Sequence, residues 1–197
     1  MMAEDTFSHT KIKDEHREVY IPGKIGMEEA VNTAGKAAKM AQTAILSSRR
    51  SEIRIDGKWL RPVLTSLKSS GFDHFSALSC VDLIDEDRFE LVYHLWSYGT
   101  RGLVMVKIQV DRNDPSIGTV YDIFRPAITY EREIHEMFGV DFPDNPRLTE
   151  FILEDWEGPP PMRKDFDSIE YVQDKYGMEV RNPKSLPPKR KKGGGDE

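Results

Sequence analysis

Apolar residues between positions 27 and 48 recur at intervals of three and four. Met27, Ala30, Val31, Ala34, Ala38, Ala41 and Ile45 share one face, the period of an amphipathic helix. Glu28 and Glu29 open the stretch and Arg49 and Arg50 close it, which suits a helix dipole. One helix is therefore predicted over 27–48. Its small alanines favour close packing on protein over a membrane surface. "SEIRID" then alternates as a short strand. Residues 59–69 return to helical spacing, with Leu60, Val63, Leu64 and Leu67 on one face and Gly71 as the stop.

Three runs follow with a period of two: "HFSALSCVDL", "RFELVYHLW" and "LVMVKIQV". Phe89, Leu91, Tyr93 and Leu95 line one face of the second, and Val104, Val106, Ile108 and Val110 one face of the third. Such alternation marks strands covered on one side. The connectors "IDEDR" and "SYGTRG" are short and polar, so hairpins are expected. A further helix is predicted over 126–138, with Pro126 in its first turn and Gly139 ending it. The order predicts an α+β fold: a four-stranded, largely antiparallel sheet with helices on one face.

The ends read differently. Residues 1–24 are charged and poor in apolar side chains, a polar extension closed by Pro22-Gly23. The core domain is expected over 25–142. Eight of the 12 prolines lie beyond Phe142: Pro143, Pro146, Pro159, Pro160, Pro161, Pro183, Pro187 and Pro188. Proline stops regular elements, yet "FILEDW" and "DFDSIEYVQDKYGMEV" keep large apolar residues that a disordered tail sheds. Residues 143–197 are therefore expected to form an extended docking arm. It ends in a solvated, disordered basic tail, "KRKKGGGDE".

Composition narrows the function. The formal net charge of -6 argues against nucleic-acid binding. Cys80 is the single cysteine, so no intramolecular disulfide and no cysteine-only metal or iron–sulfur site is possible within the chain. It sits in an apolar strand, as a core cysteine does. The polar start is unlike a signal peptide, and no apolar run approaches the roughly 20 residues a membrane helix needs. A soluble, intracellular protein is expected. There is no phosphate-binding loop, paired-histidine zinc motif or nucleophile elbow.

The densest chemistry lies in "YEREIHEMFGVDFPDNPRL", where Glu131, Arg132, Glu133, His135 and Glu136 crowd into six residues. On a helix, Ala127, Tyr130, Ile134, Met137 and Phe138 form an apolar stripe. Arg132 and Glu136 lie opposite, at a spacing that permits weak pairing. Glu131 falls beside the stripe and needs a partner, with His135 the nearest in sequence. Glu131 and Glu133 diverge by roughly 200° around the axis, which argues against a two-carboxylate hydrolase. Charge flanking an apolar stripe fits a docking element better.

"EREIHEMFGVDF", "NPRL", "ILEDWEG" and "PMRKDF" resemble the signature region of one hydrophilic family, the C subunit of respiratory complex I (NADH-quinone oxidoreductase). That family includes equivalent subunits of membrane-bound hydrogenases and archaeal respiratory complexes. The resemblance runs from about Phe75 to Phe166. It implies a peripheral subunit without cofactor, inactive alone, on the cytoplasmic side of the cell membrane, in a complex that couples electron transfer to ion translocation. Its partners would be the D subunit, a relative of the hydrogenase large subunit, and neighbouring iron–sulfur subunits, with the membrane arm touched only indirectly. Interface or structural roles fall on Glu131, Arg132, Glu133, His135, Phe138, Pro146, Trp156, Arg163, Lys164, Asp165 and Phe166. No catalytic, cofactor or metal residues are implied. Asn145 stands where the family usually has histidine and Glu136 where it usually has aspartate. "GPPPMRKD" is one residue longer than usual and also lacks a histidine. These departures set the chain apart from the NADH- and quinone-specific pattern, and "EIHEMFGV" and the proline run look more like the hydrogenase-related or archaeal branch. The alternatives are the C subunit of a true NADH-quinone oxidoreductase, an independent protein-binding adaptor, or a small hydrolase using Glu131 or Glu133.

Overall fold

The structure, a computed structural model, describes residues 13–14, 17–18, 26–38 and 41–178. Of the extension over 1–24, only a two-residue antiparallel pairing of β1 (Lys13–Asp14) with β2 (Arg17–Glu18) is described. The basic tail lies outside the described residues.

The main sheet has five strands, one more than the hydrophobic pattern predicts: β3 (Gln42–Ser47), β4 (Arg50–Arg54), β5 (His74–Leu83), β6 (Arg88–Ser97) and β7 (Gly102–Asp111). They lie in the order β3-β4-β7-β6-β5. It is a mixed sheet: β4 runs parallel to β7, and the other neighbours are antiparallel.

The fifth strand comes from the segment predicted as the end of a long helix. Helix α1 stops at Lys36 (Met27–Lys36), and Gln42–Ser47 turns back on β4 as a hairpin. Ala38, Ala41 and Ile45 extend the helical period by coincidence. What decides the outcome is pairing with β4, together with the β-branched Thr43 and Ile45. Arg49 and Arg50, expected in the last turn of that helix, stand instead in the hairpin turn and at the start of β4.

Helix α2 (Leu60–Ser69) buries Leu60, Val63, Leu64 and Leu67, and α1 buries Ala30, Val31 and Ala34 beside it. With α3 (Ala127–Phe138), they cover one sheet face, built from Ile53, Phe75, Leu78, Phe89, Leu91, Tyr93, Leu95, Val104, Val106 and Ile108. On the opposite face Arg54 binds Glu52 and Glu90 at 2.6 and 2.8 Å, and Lys107 binds Glu52 at 2.7 Å.

The arm is not extended throughout. It carries a fourth helix, α4 (Ser168–Tyr176), whose first amides bond to the Asp167 carboxylate at 2.8 and 3.2 Å. Trp156, Phe166 and Tyr171 form a small aromatic core with centroids 4.8 to 6.0 Å apart. Gly158 is wedged into it: a Cβ there would lie 2.7 Å from Trp156 and 2.8 Å from Tyr171.

Candidate functional site

The charged cluster of α3 and the "RKDF" segment both bond within this chain, at separate contacts. Helix α3 ends at Gly139, in the left-handed region at φ 75°, with its N–H bonded to the His135 carbonyl at 2.8 Å. The last carbonyls of a helix have no partner of their own. Here the arm supplies them. The Met162 N–H donates to the Met137 carbonyl at 3.0 Å, and Arg163 Nε to the Phe138 carbonyl at 2.7 Å. A side chain at position 139 would meet Pro160 at 3.0 Å and the Arg163 guanidinium at 3.1 Å. Glycine is therefore required by both space and backbone angle.

Arg112 makes the second tie. Its guanidinium takes Asp82 bidentately at 2.8 and 3.0 Å and Asp165 at 2.7 and 3.2 Å. The Lys164 N–H adds a bond to Asp82 at 2.8 Å. Two-pronged carboxylate binding of this kind is specific to arginine. It holds the Asp82 carboxyl below the usual range against the opposing effect of burial, and holds Asp165 low as well. Both Arg112 and Arg163 lie against the Phe89 ring, at 5.6 and 5.2 Å, and Phe138 packs edge-on to it at 5.9 Å.

Arg132 and Glu136 grip residues 149–153. Arg132 donates to the carbonyls of Thr149 and Glu150 and covers the Phe151 ring at 4.9 Å. The Glu136 carboxylate accepts the N–H groups of Phe151, Ile152 and Leu153 at 2.8, 2.9 and 3.2 Å. Burial pushes this carboxyl up, but the three amides and Arg132 outweigh it and leave it below the ordinary value.

Glu131 is fully buried rather than at the rim of the stripe. It accepts bonds from the Val120 N–H at 2.9 Å, the Thr119 hydroxyl at 2.5 Å and Asn145 Nδ2 at 2.7 Å. Burial still raises its pKa despite these donors. His135, expected as its partner, donates Nδ1–H to the Val140 carbonyl at 2.8 Å instead. Glu133 is exposed and enters none of these bonds, and Pro146 is an exposed turn residue. Tyr93, fully buried in the sheet below, has a phenol raised by burial first and then by the Glu131 charge.

Of the residues singled out in the sequence, Arg132, Glu136, Phe138, Arg163, Lys164 and Asp165 form a clasp between domain and arm, with Glu131 beneath it and His135 bonded locally to Val140. Trp156 and Phe166 form the arm's own core. Asp82, Arg112 and Thr119 were not singled out. For two of them a signal exists. Arg112 continues the buried phase Val104, Val106, Ile108, Val110, and Asp82 continues Leu78, Cys80. A charge on the core phase of a strand demands a partner. Arg163 and Asp165, expected to face another subunit, bond to the Phe138 carbonyl and to Arg112 of this chain, and Lys164 joins them through its backbone N–H.

The carboxylates of Asp82, Glu131, Glu136 and Asp165 are all met by donors from within the chain. Among the described residues no cluster of metal-ligating side chains occurs, and no helix is long and apolar enough to cross a membrane. Large apolar side chains remain exposed along the arm: Phe151, Ile152, Met162, Tyr176 and Met178.

Residues 53–172 match the family described as respiratory-chain NADH dehydrogenase, 30 Kd subunit. The C subunit of F(420)H(2) dehydrogenase from Methanosarcina mazei is 34% identical over 132 residues, covering 66% of this chain and 84% of that protein. The C/D subunit of NADH-quinone oxidoreductase from Pseudomonas fluorescens is 44% identical over 93 residues, which span 47% of this chain but only 16% of that protein. A solved chain of the membrane-bound sulfane sulfur reductase (MBS), an archaeal respiratory membrane complex, matches with a TM-score of 0.71 at 36% identity. That match covers 79% of this chain and 94% of the other.

Proposed function

Because this chain belongs to the respiratory-chain NADH dehydrogenase 30 Kd subunit family, we propose that it is a non-catalytic peripheral subunit of a complex I-like membrane-bound redox complex. In this reading the complex couples electron transfer to ion translocation. The chain docks on the D subunit, the hydrogenase large-subunit relative, near the iron–sulfur subunits and on the cytoplasmic side of the membrane. The carrying observation is the row of exposed Phe151, Ile152, Met162 and Tyr176 on an arm whose backbone is clasped to its own domain. Each such side chain contributes roughly 1.5–3 kcal/mol, as an upper bound, when a partner covers it. The clasp has already met part of the ordering cost that binding otherwise carries.

The Pseudomonas relative, a single protein named for C and D together, supports the hydrogenase large-subunit relative as the partner. The archaeal relatives support the hydrogenase-related or archaeal branch. Absence of a cofactor is supported by Cys80, whose thiol is pushed up to about 12, chiefly by burial. A thiol so raised stays protonated at neutral pH, as a partly buried structural cysteine does.

The test is to purify the tagged chain from solubilised membranes and identify its companions. A hydrogenase large-subunit relative and iron–sulfur proteins are expected in equal amounts, with no flavin or iron–sulfur absorbance in the chain prepared alone. A chain that never co-purifies with a hydrogenase large-subunit relative, or that carries its own chromophore, contradicts this reading.

A further inference from the structure

We propose that the edge strand β3 receives a strand from a neighbouring subunit, extending the five-stranded sheet to a sixth. This rests on the reading of the chain as part of a complex. The hydrogen-bonding phase of the sheet shows which groups await a partner. In the parallel pair, Leu103 N–H donates to the Arg49 carbonyl at 2.8 Å and Ile55 N–H to the Lys107 carbonyl at 3.1 Å. The odd-numbered residues of β4 therefore face β7, and Arg50, Glu52 and Arg54 face β3. Their partners on β3 are Ala44, opposite Glu52, and Gln42, opposite Arg54. Thr43 and Ile45 must then turn their N–H and C=O groups outward, since consecutive residues of a strand point to opposite sides. No described residue bonds to those outward groups.

Sheet edges are ordinarily protected by charge, proline, a covering element or extreme shortness. "QTAILS" has six residues, all exposed, with no charge and no proline. Ile45 is 50% and Leu46 55% exposed. The order of two outward donors and two outward acceptors, two residues apart, fits one ligand chemistry: an extended polypeptide backbone of about four residues. The residues of that strand opposite Thr43 and Ile45 should be β-branched or aliphatic, because they lie on the helix-covered side with Ile53.

The test compares amide exchange in the purified complex with that in the free chain at low concentration. The Thr43 and Ile45 amides should exchange on the order of 100-fold slower in the complex, as amides do when taken into a ladder. Gln42 and Ala44, already bonded to β4, should change little. Thr43→Pro removes an outward N–H and keeps the rungs to β4, a change an edge strand tolerates. It should leave Gln42 and Ala44 as protected in the free chain as before while abolishing the added protection of Ile45. Equal exchange of Thr43 and Ile45 in both states overturns the inference. So does protection already present in the free chain, whether from its own ends or from a second copy. A chain absent from any complex would instead refute the proposed function, so the two failures are distinguishable.

Discussion

Glu131 and Arg112 anchor the clasp region with opposite electrostatics, and their pH dependence separates them. The Glu131 carboxyl titrates above the ordinary glutamate value in the folded chain. The folded state thus holds its proton after the unfolded state has lost it. Its contribution to stability is greatest at low pH and falls as pH rises through the folded value. Asp82 behaves in the reverse way. Its pKa is depressed by Arg112, so its contribution is present above the unfolded value and is lost as pH falls through the folded one. In Glu131→Gln the new amide points a donor at the Asn145 donor, which should cost about 1–2 kcal/mol. The stability gap to wild type should narrow as pH rises. Arg112→Met leaves the buried Asp82 without its counter-charge, which should cost about 3–5 kcal/mol. That gap should narrow as pH falls. Urea unfolding across about pH 3 to 8 checks both, and gaps moving in the same direction contradict these assignments. At this scale the sequence showed that Glu131 needed a partner but not which one. Thr119 and Asn145 come from separate loops, and nothing in local spacing links them to position 131.

Among the elements, legibility follows the strength of the period. β6 and β7 were readable because long strands with one covered face alternate, and β5 was readable as a strand although a bulge between Phe75 and Ala77 shifts its buried phase. β3 was not, because an exposed edge strand has no buried face to impose alternation. Its alanines extended the preceding helical stripe instead. Helix α4 was missed because most of its side chains stay exposed and prolines dominate its surroundings. The end of α3 was legible at Gly139, and its tightness yields a prediction. Gly139→Ala places a side chain at a left-handed residue, costing roughly 1–2 kcal/mol, and presses on Pro160 and Arg163. Since Arg163 caps the helix, the strain should appear in the arm as well. Limited proteolysis should show new cleavage between residues 158 and 166 in this variant. Cleavage confined to the helix would separate the cap from the arm.

Across the whole molecule, composition suggested a domain and an arm, and the described residues show direct bonds between the two segments. The proline content and residual aromatics of residues 143–182 suggested an arm held chiefly by another chain. The missing information was long-range. Asp82 meets the Lys164 amide across 82 residues of sequence, and Arg112 meets Asp165 across 53, contacts that exist only through the fold. Arg163 and Asp165 therefore bond within this chain, while Phe151, Ile152, Met162 and Tyr176 stay exposed. Hydrogen exchange of the purified free chain tests this division most directly. The amides of Phe151, Ile152, Met162 and Lys164 donate to Glu136, Met137 and Asp82 and should exchange at rates approaching those of the sheet. Exchange of these amides at unstructured rates, beside a protected sheet, would mean that the arm is ordered only by its partner and that the clasp does not exist in the free chain.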